Sequence, residues 1–178
     1  MIYKNFEIKN VKTSKALSEE TEFFSLDFFM DGKKIAAVSN DGRGGCHRVH
    51  PLNGSTGDDI KKAEVEMSKD EFLVDSDFEK FDSAISVLLE LHMTEKDIKK
   101  LTKTEVTFID EGKLSAVGYK KSKIAPDEKL FEHVAKEYPN AIILNKMDIK
   151  EAAILTVKEN AKRQREMFKT PENTSPSP

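Results

Sequence analysis

The chain has one cysteine in 178 residues, which excludes an internal disulfide and is compatible with a reducing compartment. It also lacks a long apolar run: none approaches the roughly 18 residues that a membrane helix requires. The first residues, Met1 to Phe6, carry no apolar signal-peptide core, so the expected location is the cytoplasm, the host cytoplasm if the chain is phage-encoded. Positive charge is not in surplus. The formal net charge is −3, which disfavours binding along duplex phosphates while leaving room for a local basic loop. Apolar residues make up only 38% of the chain, but eleven phenylalanines supply large core pieces. A domain near this size buries roughly 70% of its unfolded surface and needs neither metal nor disulfide to fold.

Glycine is scarce and unevenly placed. Five of the eight glycines lie between Asn40 and Gly57, together with two of the four histidines, two arginines and the lone Cys46. Polar, glycine-rich connections carry function more often than cores do.

The rest of the chain reads as an α+β sequence. Residues 2–12 read as a strand, with Phe6 and Ile8 on one face, and residues 13–21 as a polar connection. Residues 22–30 alternate most clearly: Phe24, Leu26, Phe28 and Met30 face one way, Phe23, Ser25, Asp27 and Phe29 the other. Asp31-Gly32 predicts a two-residue type I′ hairpin turn, which needs positive φ at both positions. Residues 33–39 return as a strand, and the glycine loop fills about 40–58. Residues 60–68 are ambiguous between strand and helix.

Phe78, Phe81, Ile85, Leu88 and Leu89 recur at helical spacing, predicting a helix over 77–93 with Ser76 and Glu79 as its capping box. Thr94 with Asp97 predicts a second, short helix start. A hairpin is expected over 104–119, around Asp110-Glu111-Gly112-Lys113. Pro126 suits the first turn of a helix running to about Tyr138. Ala141 to Leu144 reads as a short buried strand, and 148–167 as a final helix with Ile149, Ala153 and Val157 inside. The expected architecture is an antiparallel sheet of two hairpins plus a late short strand, packed against three to four helices. It forms one α+β domain over 1–168, with a weak division near 103 and a loose tail over 169–178, where three of the six prolines lie.

Three chemistries compete for the glycine loop. The first is anion binding. Gly42, Gly44 and Gly45 would present backbone amides, because no Cβ blocks the approach. Arg43 and Arg48 would fork onto phosphate or carboxylate oxygens, His47 and His50 would orient the ligand, and Ser55 and Thr56 would donate further. The string is neither a P-loop nor a dinucleotide fingerprint. The second is a metal site on Cys46, His47 and His50, three ligand types within five residues. A structural zinc site draws its four ligands from two separated pairs, and only one cluster is present. His92 reads as a half-buried core residue and His133 as an exposed one. The third, covalent catalysis by Cys46, lacks an orienting group. The acidic pairs Asp58-Asp59, Asp75/Asp77 and Asp110-Glu111 read as caps and turns, and the run Lys120-Lys121-Ser122-Lys123 as a solvated turn. Phe23 and Phe29 are candidates for a partner or stacking surface.

Asp31-Gly32-Lys33-Lys34-Ile35 followed by Val38-Ser39-Asn40-Asp41-Gly42-Arg43-Gly44-Gly45-Cys46 resembles a hairpin-plus-glycine-loop motif of small uncharacterised bacteriophage and bacterial proteins. Tyr138-Pro139-Asn140-Ala141-Ile142-Ile143-Leu144-Asn145 is similar to a later part of that pattern. The resemblance implies a phage or bacterial cytoplasm and, by context, a counter-defence role; it brings no catalytic residue. The expected function is therefore non-catalytic binding of a small anionic ligand, a nucleotide or other phosphorylated molecule, without a cofactor. A second subunit would close a pocket that the loop alone leaves shallow. The alternatives are a protein–protein interaction module that inhibits a host protein and a metal-dependent hydrolase using Cys46, His47 and His50.

Overall fold

The computed structural model describes residues 1–52, 54–74, 79–119 and 124–169. It is a mixed α+β structure whose chain divides into two compact units, Met1–Glu90 and Leu91–Pro178. The expected cap Ser76, the apolar Phe78, Asp75 and Asp77, the 120–123 run and residues 170–178 of the tail lie outside the described residues.

The first unit is built on sheet A, an antiparallel meander of β1 (Ile2–Tyr3), β2 (Phe6–Thr13), β3 (Phe23–Met30), β4 (Lys33–Asp41) and β5 (Arg48–Pro51) in sequential order. The turn at Asp31-Gly32 has φ of 52° and 76°, as a type I′ turn demands. Alternation along β3 sets the faces: Phe24, Leu26 and Phe28 are buried, together with Phe6, Ile8, Ile35 and Val38 of its neighbours. Helix α1 (Gly57–Met67) and the first part of α2 (Lys80–Leu101) contribute Ala63, Met67, Phe81, Ala84, Ile85 and Leu88 to the buried set of this unit. Phe81 meets Phe28 edge-on at 5.4 Å.

Four expectations for these elements change or are decided. The strand expected over 2–12 is a small hairpin, because Lys4 adopts φ 55° and turns the chain after Tyr3. The stretch 60–68 is helix up to Met67: Thr56 and Asp59 form a reciprocal capping box, and Ala63 and Met67 fall on one buried side. The glycine loop is shorter than expected, because β4 runs on to Asp41 and Arg48–Pro51 pairs with it as an edge strand. An edge strand tolerates a proline such as Pro51 and needs no apolar alternation, so its sequence gives little sign of it. Finally, Thr94 starts no second helix; α2 continues without a break to Leu101.

The second unit holds the three-stranded sheet B, ordered β7 (Lys113–Gly118), β6 (Glu105–Asp110), β8 (Ile142–Ile143). On one face Val106 and Phe108 pack with Leu130 and Val134 of α3 (Glu128–Glu137). On the other, Ile109 packs with Ile98 of α2, Leu144, and Ala152 and Ala153 of α4 (Ile149–Lys169). Helix α3 starts at the cap Asp127, so Pro126 precedes the helix instead of opening its first turn. The late strand is an edge with Ile142 exposed, and only Leu144 beyond it is buried. Asn145 completes the edge, accepting from the Thr107 amide at 2.7 Å and donating to the Glu105 carbonyl at 2.9 Å.

Candidate functional site

The glycine segment begins where β4 leaves the sheet, and there it is locked to the turn at residues 18–21. Asn40 is buried; its Oδ1 accepts from Thr21 Oγ1 and from the Gly42 amide, both at 2.8 Å, and its Nδ2 donates to the Gly45 carbonyl at 3.1 Å. The Gly44 amide donates to Thr21 Oγ1 at 3.2 Å. Amides of Glu19, Glu20 and Thr21 all converge on the Gly42 carbonyl oxygen. The expected receptacle of free glycine amides is therefore not formed at Gly42 and Gly44, whose N–H groups are spent inside the fold. The reason is the same conformational freedom that suggested it: positive φ lets this strand end close back on its own side chains.

The remaining candidates separate. Arg43 is exposed, with Nε 4.0 Å from Glu19 Oε1. Arg48 lies on β5 and pairs with Asp41. Thr56 is the cap of α1, its hydroxyl accepting from the Asp58 amide at 3.2 Å, while Ser55 Oγ is buried with no hydrogen-bond partner among the described residues. His50 is exposed on β5, opposite Ala37. The two arginines and the two histidines thus do not converge on one loop ligand.

Cys46 and His47 turn toward the start of α2. Cys46 Sγ lies 2.9 Å from Glu79 Oε1, and Glu79 pushes the exposed thiol above its ordinary pKa. The His47 amide donates to Asp82 Oδ2 at 2.6 Å, and its ring meets Phe24 edge-on at 4.8 Å. Its side chain is only 10% exposed, and Nδ1 is fully buried without a hydrogen-bond partner. At 3.7 Å, Asp82 Oδ1 is close enough to feel a charged ring but too far for a normal hydrogen bond. Burial holds the His47 pKa below its ordinary value against the pull of Asp82 and Glu79, which favours the neutral imidazole. A buried polar atom left in this state costs about 1–3 kcal/mol. His92 is half-buried and likewise lowered by burial, and His133 is exposed on α3.

The outer face of sheet A holds a candidate site that loop reasoning missed. Pairing registers place Lys12, Ser25, Ser39 and Arg48 in one row across four strands. The neighbouring row holds Lys9, Asp27, Ala37 and His50. Three central positions, Ser25, Ala37 and Ser39, carry short side chains, so the middle of the face is a depression of about 640 Å³ that also touches Asn10, Lys12 and Asp27. Asp27 accepts from Asn10 Nδ2 at 2.7 Å and pairs with Lys34 at 2.9 Å. Partial burial raises its pKa, but these partners more than offset that and leave it below the ordinary value. The available signal was the polar pair Ser25 and Asp27 between Phe23 and Phe29, both half-buried at the ends of the same strand face.

Comparisons with models of protein families, with curated proteins and with solved structures find no match to this chain. No helix among the described residues is long and apolar enough to cross a membrane.

Proposed function

We propose that the first unit binds a small anionic ligand, a nucleotide or other phosphorylated molecule, on the outer face of sheet A. The observation that carries this reading is the row Lys12–Ser25–Ser39–Arg48: two hydroxyls over a bare floor, with Lys12 lining the depression and Arg48 at the other end of the row on the edge strand. Four adjacent strands span about 14 Å at the usual spacing, the scale of a mononucleotide. Arg48 and His50 keep the recognition roles expected from their chemistry, now from an edge strand. The glycines act one step back, by closing β4 so that β5 can return beside it.

The pairing of Arg48 with Asp41 does not oppose this reading. An exposed ion pair is worth only about 0–1 kcal/mol, so little is lost when a phosphate takes the guanidinium instead. Asp27, the carboxylate touching the floor, is already paired with Asn10 and Lys34, so it is not a free general base. Binding without chemistry is the reading that follows. In the setting that the phage-like hairpin and loop imply, such a protein would act by sequestering its ligand.

Differential scanning fluorimetry with inorganic phosphate, AMP and ATP tests this. A ligand-dependent rise in melting temperature is expected, by mass action on the folded state. It should be lost in Lys12→Ala/Arg48→Ala and retained in Arg43→Ala, whose side chain is not part of the row. An unchanged shift in the double variant would rule out the sheet-face site.

A further inference from the structure

We infer that the first unit carries a transition-metal site, of the kind that suits zinc, formed by Cys46 and His47 of the β4–β5 connection with Glu79 and Asp82 at the start of α2. The ligand atoms of Cys46, Glu79 and Asp82 lie within 4.8 Å of one another, the one such trio among the described residues. Glu79 directly precedes α2 with φ 49°, and Asp82 lies in the first turn. The trio by itself is two acids and a thiol.

The His47 ring is not among the atoms that lie within 4.8 Å of one another, but it borders the trio on the Asp82 side. The His47 side chain is nine-tenths buried, and Nδ1 has no hydrogen-bond partner although Asp82 Oδ1 is 3.7 Å away. If Nδ1 carries a proton, that proton has no acceptor within reach. If it carries a lone pair, that lone pair faces a carboxylate. A cation between them resolves both cases, since neutral imidazole nitrogen and carboxylate oxygen are each ligands in their metal-binding forms. The donor set selects the ion. Thiolate and imidazole favour zinc and its neighbours, whereas magnesium and calcium take oxygen ligands.

His50, the third ligand in the set suggested by spacing, belongs to β5 and is exposed there, opposite Ala37. The other two ligands come instead from acidic residues more than thirty positions further on. An ion here fastens the β4–β5 connection to α2. The site is separate from the anion row, so either can fail alone.

The test uses purified full-length protein, stripped with a chelator and titrated with zinc and with cobalt. One equivalent of tightly held zinc is expected, together with a thiolate-to-cobalt charge-transfer band in the cobalt form. Cys46→Ser and Asp82→Asn should each weaken zinc by at least about 100-fold, since even partners outside the coordination shell are worth 10–100-fold. Asparagine at 82 keeps an acceptor for the His47 amide, and circular dichroism verifies that both variants fold. His50→Ala should bind zinc as the parent does. Folded parent protein that takes up no zinc at an excess of the ion would overturn the inference. So would zinc binding that Cys46→Ser and Asp82→Asn leave unchanged, or that His50→Ala abolishes.

Discussion

Gly42 lies directly against Leu17: a Cβ placed at residue 42 would sit 2.1 Å from the Leu17 carbonyl oxygen. The backbone there also has φ +80°, a region that side chains rarely enter. Gly42→Ala therefore meets both a clash with main chain and an unfavourable φ. The expected loss is about 2–4 kcal/mol, the scale of strained backbone plus overpacking. Urea denaturation should show it as a lower midpoint. Gly45→Ala, with φ +82° but open space around its Cβ position, should lose only about 1 kcal/mol.

Asn40 serves three partners at once, so its removal leaves the Gly42 amide, the Gly45 carbonyl and the Thr21 hydroxyl to find others. Asn40→Ala should cost about 2–4 kcal/mol, more than one ordinary hydrogen bond, because the unmade bonds lie in or beside a buried side chain. Amide hydrogen exchange at Gly42 should accelerate in the same variant. An unchanged exchange rate would mean that Asn40 does not hold the loop.

Tyr3 donates to Asp70 at 3.0 Å, and Lys4 pairs with the same carboxylate at 2.6 Å. Burial and the neighbouring Asp70 push the Tyr3 pKa up to about 12 from 10.0. The folded state thus holds the phenolic proton more tightly than the unfolded chain. This contribution is complete below pH 10 and disappears as pH rises through about 12. Tyr3→Phe should flatten the alkaline arm of the stability curve. Asp70 behaves in the opposite direction: partial burial raises its pKa, but the hydrogen bonds from Lys4, the Phe72 amide and Tyr3 more than offset it. Its contribution is present above the ordinary carboxylate range near pH 4 and is lost as pH falls through the lower folded value. Asp70→Asn should therefore destabilise at neutral pH and reduce the acid sensitivity seen by fluorescence.

In the second unit, Thr107 is fully buried in β6 and its Oγ1 has no hydrogen-bond partner among the described residues. Replacing a buried, unpaired hydroxyl by an isosteric methyl removes a desolvation cost. Thr107→Val is expected to stabilise by about 1 kcal/mol, measurable as a rise in melting temperature of several degrees for a unit of this size. A fall would show that the hydroxyl is satisfied in solution.

Features set by neighbours in sequence were legible from residue order. The Asp31-Gly32 turn, the buried face of β3 and the buried side of α4 each follow from a local period or from a residue's own φ preference. The glycine loop was legible as a special segment, but not in its use. Whether Gly42 and Gly44 offer their amides to a ligand or to Asn40 and Thr21 depends on where the 18–21 turn lies, and no local signal reports that. The row of Lys12, Ser25, Ser39 and Arg48 was hidden for a further reason. Counting outward from the hairpin turn pairs Ser25 with Val38, but a bulge at Ile35 moves the register by one and pairs it with Ser39.

Residue order by itself decided the α+β class, the faces of the main strands and helices, and the concentration of polar, ligand-type groups between Asn40 and Gly57. Only the tertiary structure decided which of those groups were already spent, which joined the sheet face, and that Cys46 and His47 meet Glu79 and Asp82. The physical reason is range. Periodicity and turn chemistry act over a few residues, whereas a site joins segments more than thirty positions apart. Register, bulges and helix placement bring such segments together, and these are settled by the packing of the whole unit.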